Sequence, residues 1–510
     1  MQAKPKHLPM LLLLVIVSCT SLAVIAGIPL LTWSGSGDAV ASDTTFLAHT
    51  VQAHPVVQEV TKSLPRNTSP GIKQVQFPCQ SNNHPQPMLC YGPYQIRQAY
   101  GMTGLLAKNI TGQGSTITII DAYGSPTIQQ DLRAFDTQWG LTDPTLNVIT
   151  PYGVPGTDTS WGPEVSVDVE WAHVMAPNAA INLVIAKSSN DVDLYYALKY
   201  TVEHNLGDVI SLSFGENESC ADSKLRHAVH QVLSKAEQEH ITVLAATGDF
   251  GSAQYTCNNA SQQQAVSFPA DDPLITAVGG TTLHADAVTG QYDSEVAWNE
   301  SDAFNKASGG GFSIFDARPN YQDGVTGSTT GRAVPDISLN ASINGGVLVY
   351  QSQTSSKQSP ITVMGGTSVG TPELAGLVAD GVQMAGHRLG LLNPALYQLG
   401  LSKNYTQVMH DITSGDNILL TSDIPGYAAR QGWDAVTGWG TPKQAETFLQ
   451  TLISTPPTNT PIDTPTKLPT STPIGTPTKL PTNTPTKPSK NSPIGTPTKQ
   501  LLRRTKNGGI

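Results

Sequence analysis

Four short strand-like runs recur through the first half of this chain, at 115–120, 181–185, 209–213 and 241–246, and helical patterns lie between the later ones. The patterns at 192–204 and 224–240 are each long enough to cross over a sheet and return the chain to the same edge. Strand and helix in such alternation leave few options. A mostly parallel central sheet covered by helices on both faces is expected, so the fold class is α/β. In folds of this kind chemistry gathers beyond the carboxyl ends of the strands, where Asp121 and Asp249 fall.

The alternating body is expected over 91–450. Before it, Lys4, Lys6 and His7 precede an apolar stretch at 10–17 that resumes at 22–31, and Ala39-Val40-Ala41 offers a small-x-small cleavage site. Residues 1–41 therefore read as a signal peptide or a single membrane anchor, and 16–19 loosely resembles a lipoprotein cleavage box. Residues 42–90 are polar, with Pro55, Pro65 and Pro70, and read as a short leader or linker. After the body, 451–510 is a Thr/Pro-rich low-complexity tail in which 461–472 is nearly repeated by 473–484. Proline at that density removes backbone donors and favours extended chain, so a disordered stalk is expected, serving cell-wall association or nothing beyond spacing.

Composition narrows the function. Only 13% of residues are charged and the formal net charge is -10, which gives no basic footprint for nucleic acid. Once Cys19 is removed by processing, four cysteines remain, and closeness in sequence favours Cys79 with Cys90 and Cys220 with Cys257. No CxxC pair supports a zinc or iron-sulfur site.

Three features carry chemistry. In "GGTSVGTP", Ser368 sits in a glycine-flanked turn before a helical pattern, the way a chain presents a nucleophilic hydroxyl. In "TSWGPEVSVDVEWAHVMAP", Pro163 suits a first helical turn, and Val165, Val169, Ala172 and Ala176 form an apolar stripe. Glu164 and Asp168 are then four apart on one side of that helix. Taken alone, the pair reads first as a solvated helix face. In "AATGDFGS", Asp249 follows a buried strand among glycines, a place for a catalytic acid and also for an ordinary turn residue. Asp121, in "ITIIDAYG", resembles the strand-end aspartate of subtilisin-like enzymes, yet no Gly-His-Gly-Thr-His run exists to complete their triad. It is expected to line the cleft and touch substrate, and His173, nine residues beyond Glu164, is expected to be structural.

With "GPEVSVDVEWAHVMAPNA", "VISLSFGENE", "ITVLAATGDFG", "VSFPADDPLITAVGGTTL", "ASGGGFS", "GRAVPDISLNAS", "GGTSVGTPELAG" and "GWDAVTGWGTP" in order, the chain resembles the sedolisin family, the serine-carboxyl peptidases. The resemblance implies a subtilisin-like catalytic domain and a secreted, acid-acting serine-type endopeptidase on protein or peptide substrates. Ser368 becomes the nucleophile, Glu164 the general base, Asp168 the group that orients Glu164 and shares its proton, and Asp249 the oxyanion-site acid. It also implies a structural calcium ion held by the side chains of Asp411 and Asp434 and the carbonyls of Ile412, Arg430 and Gly432. Arg430 stands where the family commonly has glycine, and Thr371 where it has alanine. The stretch from Ala41 to Tyr91 is short for the propeptide domain of family precursors. A monomer, an extracellular or cell-surface location and a bacterial source complete the expectation. The competing reading is an inactive peptidase-fold binding protein on the cell surface, which has no need to keep Ser368, Glu164, Asp168 and Asp249 together.

Overall fold

A computed structural model describes residues 77–80, 89–156, 158–327, 330–353 and 360–454. The signal or anchor at 1–41, most of the leader at 42–90 and the Thr/Pro tail lie outside the described residues. The four runs form the sheet strands β1 (Thr116–Ala122), β3 (Ala180–Ala186), β4 (Val209–Leu212) and β5 (Thr242–Ala246), and the sequence reading did not single out β2 (Leu146–Ile149), β6 (Thr276–Ala285), β7 (Tyr292–Ala297) and β8 (Ile337–Asn340). Their order is β7-β6-β5-β4-β1-β3-β2, with β8 also paired to β6. Every pairing is parallel except that of β6 with β7. The mostly parallel sheet expected from the sequence is therefore present.

Both faces are covered, which explains why the central strands are rich in apolar residues on both sides. Along β1, Ile117 and Ile119 enter one core while Ile120 and Ala122 enter the other. Helices α1 (Ile128–Trp139), α2 (Gly162–Met175), α3 (Asp191–Glu203), α4 (Ser223–Gln238) and α5 (Thr367–Ala385) supply the covers. Residues of α1, α2 and α5 join the first core, and Leu194, Leu198, Val229 and Leu233 of α3 and α4 join the second. Among the described residues no helix is long and apolar enough to cross a membrane.

The apolar stripe of α2 is only part of its burial. Every residue from Glu164 to Met175 is buried, polar ones included. The helix packs against α5, where a Cβ on Gly376 would lie 2.5 Å from that of Met175. On another side it meets the strand Gly346–Tyr350, through Trp171 Nε1 donating to the Leu348 carbonyl (3.2 Å) and Tyr350 N–H donating to Glu170 (2.9 Å). Valines at 165, 167, 169 and 174 are indifferent helix formers, so this packing rather than propensity holds α2 together. Both favoured disulfides form, with Cα separations of 5.2 Å for Cys79–Cys90 and 5.3 Å for Cys220–Cys257.

Candidate active site

Three neighbouring strands, β5, β4 and β1, carry Asp249, Ser213 and Asp121 at or just beyond their carboxyl ends. Above these ends the first turns of α2 and α5 bring in Glu164 and Ser368. These five side chains, and Asp168 one turn further along α2, are all buried, Glu164 to 1% exposure and Asp121 and Asp168 to 0%. The solvated-face reading of the acid pair is thereby excluded.

The contacts are specific. Ser213 Oγ donates to Asp168 Oδ1 at 2.7 Å, and Ser368 Oγ donates to the Ser213 carbonyl at a long 3.5 Å. Asp249 Oδ1 accepts from both the N–H (2.9 Å) and the hydroxyl (2.8 Å) of Thr367, the residue before the serine. That leaves Oδ2 of Asp249 to carry a proton. Neither oxygen of Glu164 has a hydrogen bond of good geometry among the described residues, although the Ser368 hydroxyl is near enough to offset part of its burial.

Removal from water dominates the electrostatics. Burial pushes Glu164 well above the usual carboxylate range; the Ser368 hydroxyl opposes this, and the charges of Asp121 and Asp249 add to it. Asp168 rises well above its usual range for the same first reason, helped by Asp121 and Glu164 and opposed by Ser213. Burial lifts Asp121 to about 7. Asp249 is also raised by burial, with Lys306 and Thr367 working against it. Four acids in one dry site cannot all ionise, so protons must be shared among them.

One expectation is overturned and one holds. Asp121 is fully buried at the floor of the acid cluster and cannot line the cleft or touch substrate, because α2 lies over it. His173 lies with its Nε2 3.1 Å from Asp136 Oδ1 of α1, both buried, which is a structural position as expected. The sequence reading missed Ser213 and Thr367. Ser213 stands directly after a buried parallel strand, the same signal that singled out Asp249.

The segments expected to hold calcium meet in space: Gly432 N–H donates to Asp411 Oδ1 at 3.0 Å. Asp434 is buried and accepts from the N–H groups of Arg430, Val436 and Thr437. The Arg430 guanidinium turns toward the Trp433 carbonyl (3.3 Å), so its charge does not compete for Asp434. Two carboxylates and three carbonyls are a hard-oxygen set that fits calcium. Among the described residues no cluster of three or more His, Cys, Asp or Glu side chains forms a metal site.

The Subtilase family pattern matches residues 161–401. Kumamolisin of Bacillus sp. (strain MN-32) is 32% identical, over 69% of this chain and 62% of its own length. Sedolisin of Pseudomonas sp. (strain 101) is 28% identical, over 77% of this chain and 64% of its own length. The chain thus spans less than two thirds of either protein. Among solved structures, Pseudomonas sedolisin, described as a serine-carboxyl proteinase complexed with pseudo-iodotyrostatin, superposes with a TM-score of 0.63 at 29% identity. That match covers 72% of this chain and 98% of the solved one.

Proposed function

Because the chain belongs to the sedolisin family, with its subtilisin-like fold, we propose that it is a serine-carboxyl peptidase that hydrolyses peptide bonds in acid. The observation that carries this reading is the meeting of Ser368 and a buried Glu164–Asp168 pair beside Asp249, with Glu164 the group that interacts with the serine hydroxyl.

Glu164, ionised, takes the proton of Ser368 as the hydroxyl oxygen attacks the scissile carbonyl carbon. Asp168, held by Ser213, keeps the shared proton off Glu164 at that moment. The carbonyl oxygen becomes an oxyanion facing the N–H of Ser368, in the first turn of the 19-residue α5, where the helix dipole favours negative charge. A proton on Asp249 Oδ2 supplies the second hydrogen bond. Glu164 then passes its proton to the leaving amine nitrogen, and water, deprotonated by Glu164, cleaves the acyl-serine ester. Glu164 must be ionised and Asp249 protonated, so the active window closes on both sides. The rate is expected to be bell-shaped in pH with its maximum below neutrality.

Incubating the purified chain with a denatured protein across about pH 3–8 tests this. Peptide release that peaks in acid and vanishes in Ser368→Ala is expected. Release that is unchanged in that variant, or absent at every pH, would reject the reading.

Asp411 and Asp434, with the carbonyls of Ile412, Arg430 and Gly432, would hold a calcium ion that stabilises the body. An ion at about 100 times its Kd adds about 2.7 kcal/mol to the folded state. Chelation is therefore expected to lower Tm in the parent, and Asp434→Asn to remove most of that sensitivity. Equal melting curves with calcium and with excess chelator would defeat the assignment. Export, with 1–41 as the targeting segment, 42–90 as leader, 91–450 as the peptidase body and 451–510 as a spacer, completes the proposal.

A further inference from the structure

The loop after β7, residues 298–308, is fastened to the site at several points. The Ala307 N–H donates to the Asp249 carbonyl (3.0 Å) and the Ala307 carbonyl accepts from the Gly251 N–H (3.0 Å), so Ala307 pairs with Phe250 as one rung of a parallel ladder. Ser308 Oγ accepts from the Gly280 N–H of β6 at 2.9 Å. Nearer the start of the loop, the Glu300 carboxylate accepts from Trp298 Nε1 (2.8 Å) and from the N–H groups of Ile343 (2.7 Å) and Asn344 (2.8 Å). The Ala341 carbonyl, just before those residues, accepts from the Gly366 N–H (2.7 Å) in the turn that leads to Ser368. The loop is thereby held against both Asp249 and the segment that braces the nucleophile's turn.

Lys306 comes immediately before Ala307. Its Nζ lies 3.8 Å from the centre of the Phe250 ring, and Phe250 directly follows Asp249. That ring is itself backed edge-on by Tyr255, at 4.9 Å between centres. A cation on an aromatic face is attracted by the ring and held in one place. Burial lowers the Lys306 amine from 10.5 and the Asp249 carboxylate works against that lowering, so in acid the group is an ammonium ion. We propose that Lys306 is a positioning residue of the reaction: its ammonium, seated on Phe250, favours ionised Asp249 and so sets where the active window closes on its alkaline side. The proposal rests on the peptidase reading, in which Asp249 donates to the oxyanion.

The groups facing Asp249 give the sign. The N–H and hydroxyl of Thr367, from α5, favour its ionised form. Glu164, from α2, repels it and favours the protonated form. Lys306, from the loop, is the first of the groups that oppose burial there. Of the other acids around the loop, Glu300 is engaged as described, and Asp416 accepts from Asn299 (2.8 Å) and the Ile418 N–H (3.0 Å). An ionised Asp249 cannot donate, so a cation that ionises it sooner removes the second oxyanion bond at lower pH. At the acid limb Asp249 is neutral, and the limb follows Glu164, which answers to burial, Ser368, Asp121 and Asp249. Lys306 therefore moves one limb and leaves the other.

The test compares the pH dependence of kcat/KM on one short peptide in the parent, Lys306→Met and Lys306→Arg. Methionine keeps an apolar contact with the Phe250 ring and loses the charge, whereas arginine keeps both. Lys306→Met is expected to move the alkaline limb upward by about one pH unit with the acid limb in place, and Lys306→Arg to restore the parent limb. An unmoved alkaline limb in a folded Lys306→Met chain, an equal loss of rate at every pH, or an equal displacement in Lys306→Arg would overturn the proposal. A second reading needs no turnover. In the Ser368→Ala chain, the carboxyl carbon of Asp249, followed by NMR, should titrate at higher pH once Lys306→Met is added, and an unchanged titration would also overturn the proposal. The two readings separate the failures. A chain that cleaves nothing while the Asp249 titration moves rejects the peptidase and keeps the coupling of Lys306 to Asp249. Acid-peaked cleavage with neither limb nor titration moved does the reverse.

Discussion

Glu164→Gln is expected to lower kcat/KM by about 10³-fold, because an amide keeps the shape of the side chain but cannot accept the serine proton as a base. The loss should fall on kcat and leave KM nearly unchanged, since Glu164 lies beneath the nucleophile rather than against bound peptide. No other base stands ready. Asp168 is committed to Ser213, Asp249 to Thr367, and His173 is paired with Asp136 under the first core. His173→Asn is therefore expected to change stability without moving the pH profile. Asp249→Ala should lose about 10² to 10³ in kcat through the missing oxyanion donor. Stopped-assay kinetics on short peptides across the acid range would measure all three. Full turnover by Glu164→Gln, or a neutral optimum abolished at His173, would show that carboxylates do not run this site.

The sheet was legible where strands are buried on both faces. Runs such as 181–185 and 241–246 are mostly apolar, broken only by Asn182 and Thr242, because α2 and α5 cover one side and α3 and α4 the other. Strand β6 was not legible. It contains Gly279 and Gly280, poor strand residues, and a Cβ on Gly280 would lie 2.6 Å from Ala341 and 3.0 Å from the Trp298 ring. Those neighbours are distant in sequence, and a single sequence does not display them. The same limit applies at the site. Spacing alone placed Glu164 and Asp168 on one side of a helix, but their burial depends on α5 and the 346–350 strand, some two hundred residues away. Asp121 was misplaced for this reason: its strand-end position and the helix at 162–175 were both read, but not the packing of that helix over the strand end. Ser213 was within reach, since its strand was recognised and only the significance of the next residue was passed over.

Stability should run opposite to that of a chain whose carboxylates are paired with cations. The body is expected to melt highest near about pH 4 and to lose several kcal/mol by about pH 8. Glu170 and Glu373 are buried and raised well above the usual carboxylate range, first by burial; a backbone N–H from Tyr350 lowers Glu170, and the charge of Glu295 raises Glu373 further. Both oxygens of Glu373 lack hydrogen-bond partners among the described residues. In the unfolded chain such groups ionise with pKa near 4.3. A folded pKa above the unfolded one means that the native state holds the extra proton. Its stabilising contribution is complete below about pH 4 and drains away as pH rises toward the folded values. Those extend through about 7 for Asp121 and Glu218. One group shifted by three units changes stability by about 4 kcal/mol, a large share of the roughly 5–15 kcal/mol that holds a domain folded. Glu373→Gln isolates the effect away from the nucleophile. It should leave Tm near pH 4 little changed and raise it near pH 8, because the amide never has to ionise inside the core. A parent Tm that is level or rising between those two conditions, or a Glu373→Gln chain with the same slope as the parent, would mean that these acids find ionised partners in solution. An acid-shifted stability curve would instead tie the fold to the proposed chemistry, since the same burial that keeps the core carboxyls protonated also keeps Asp249 able to donate.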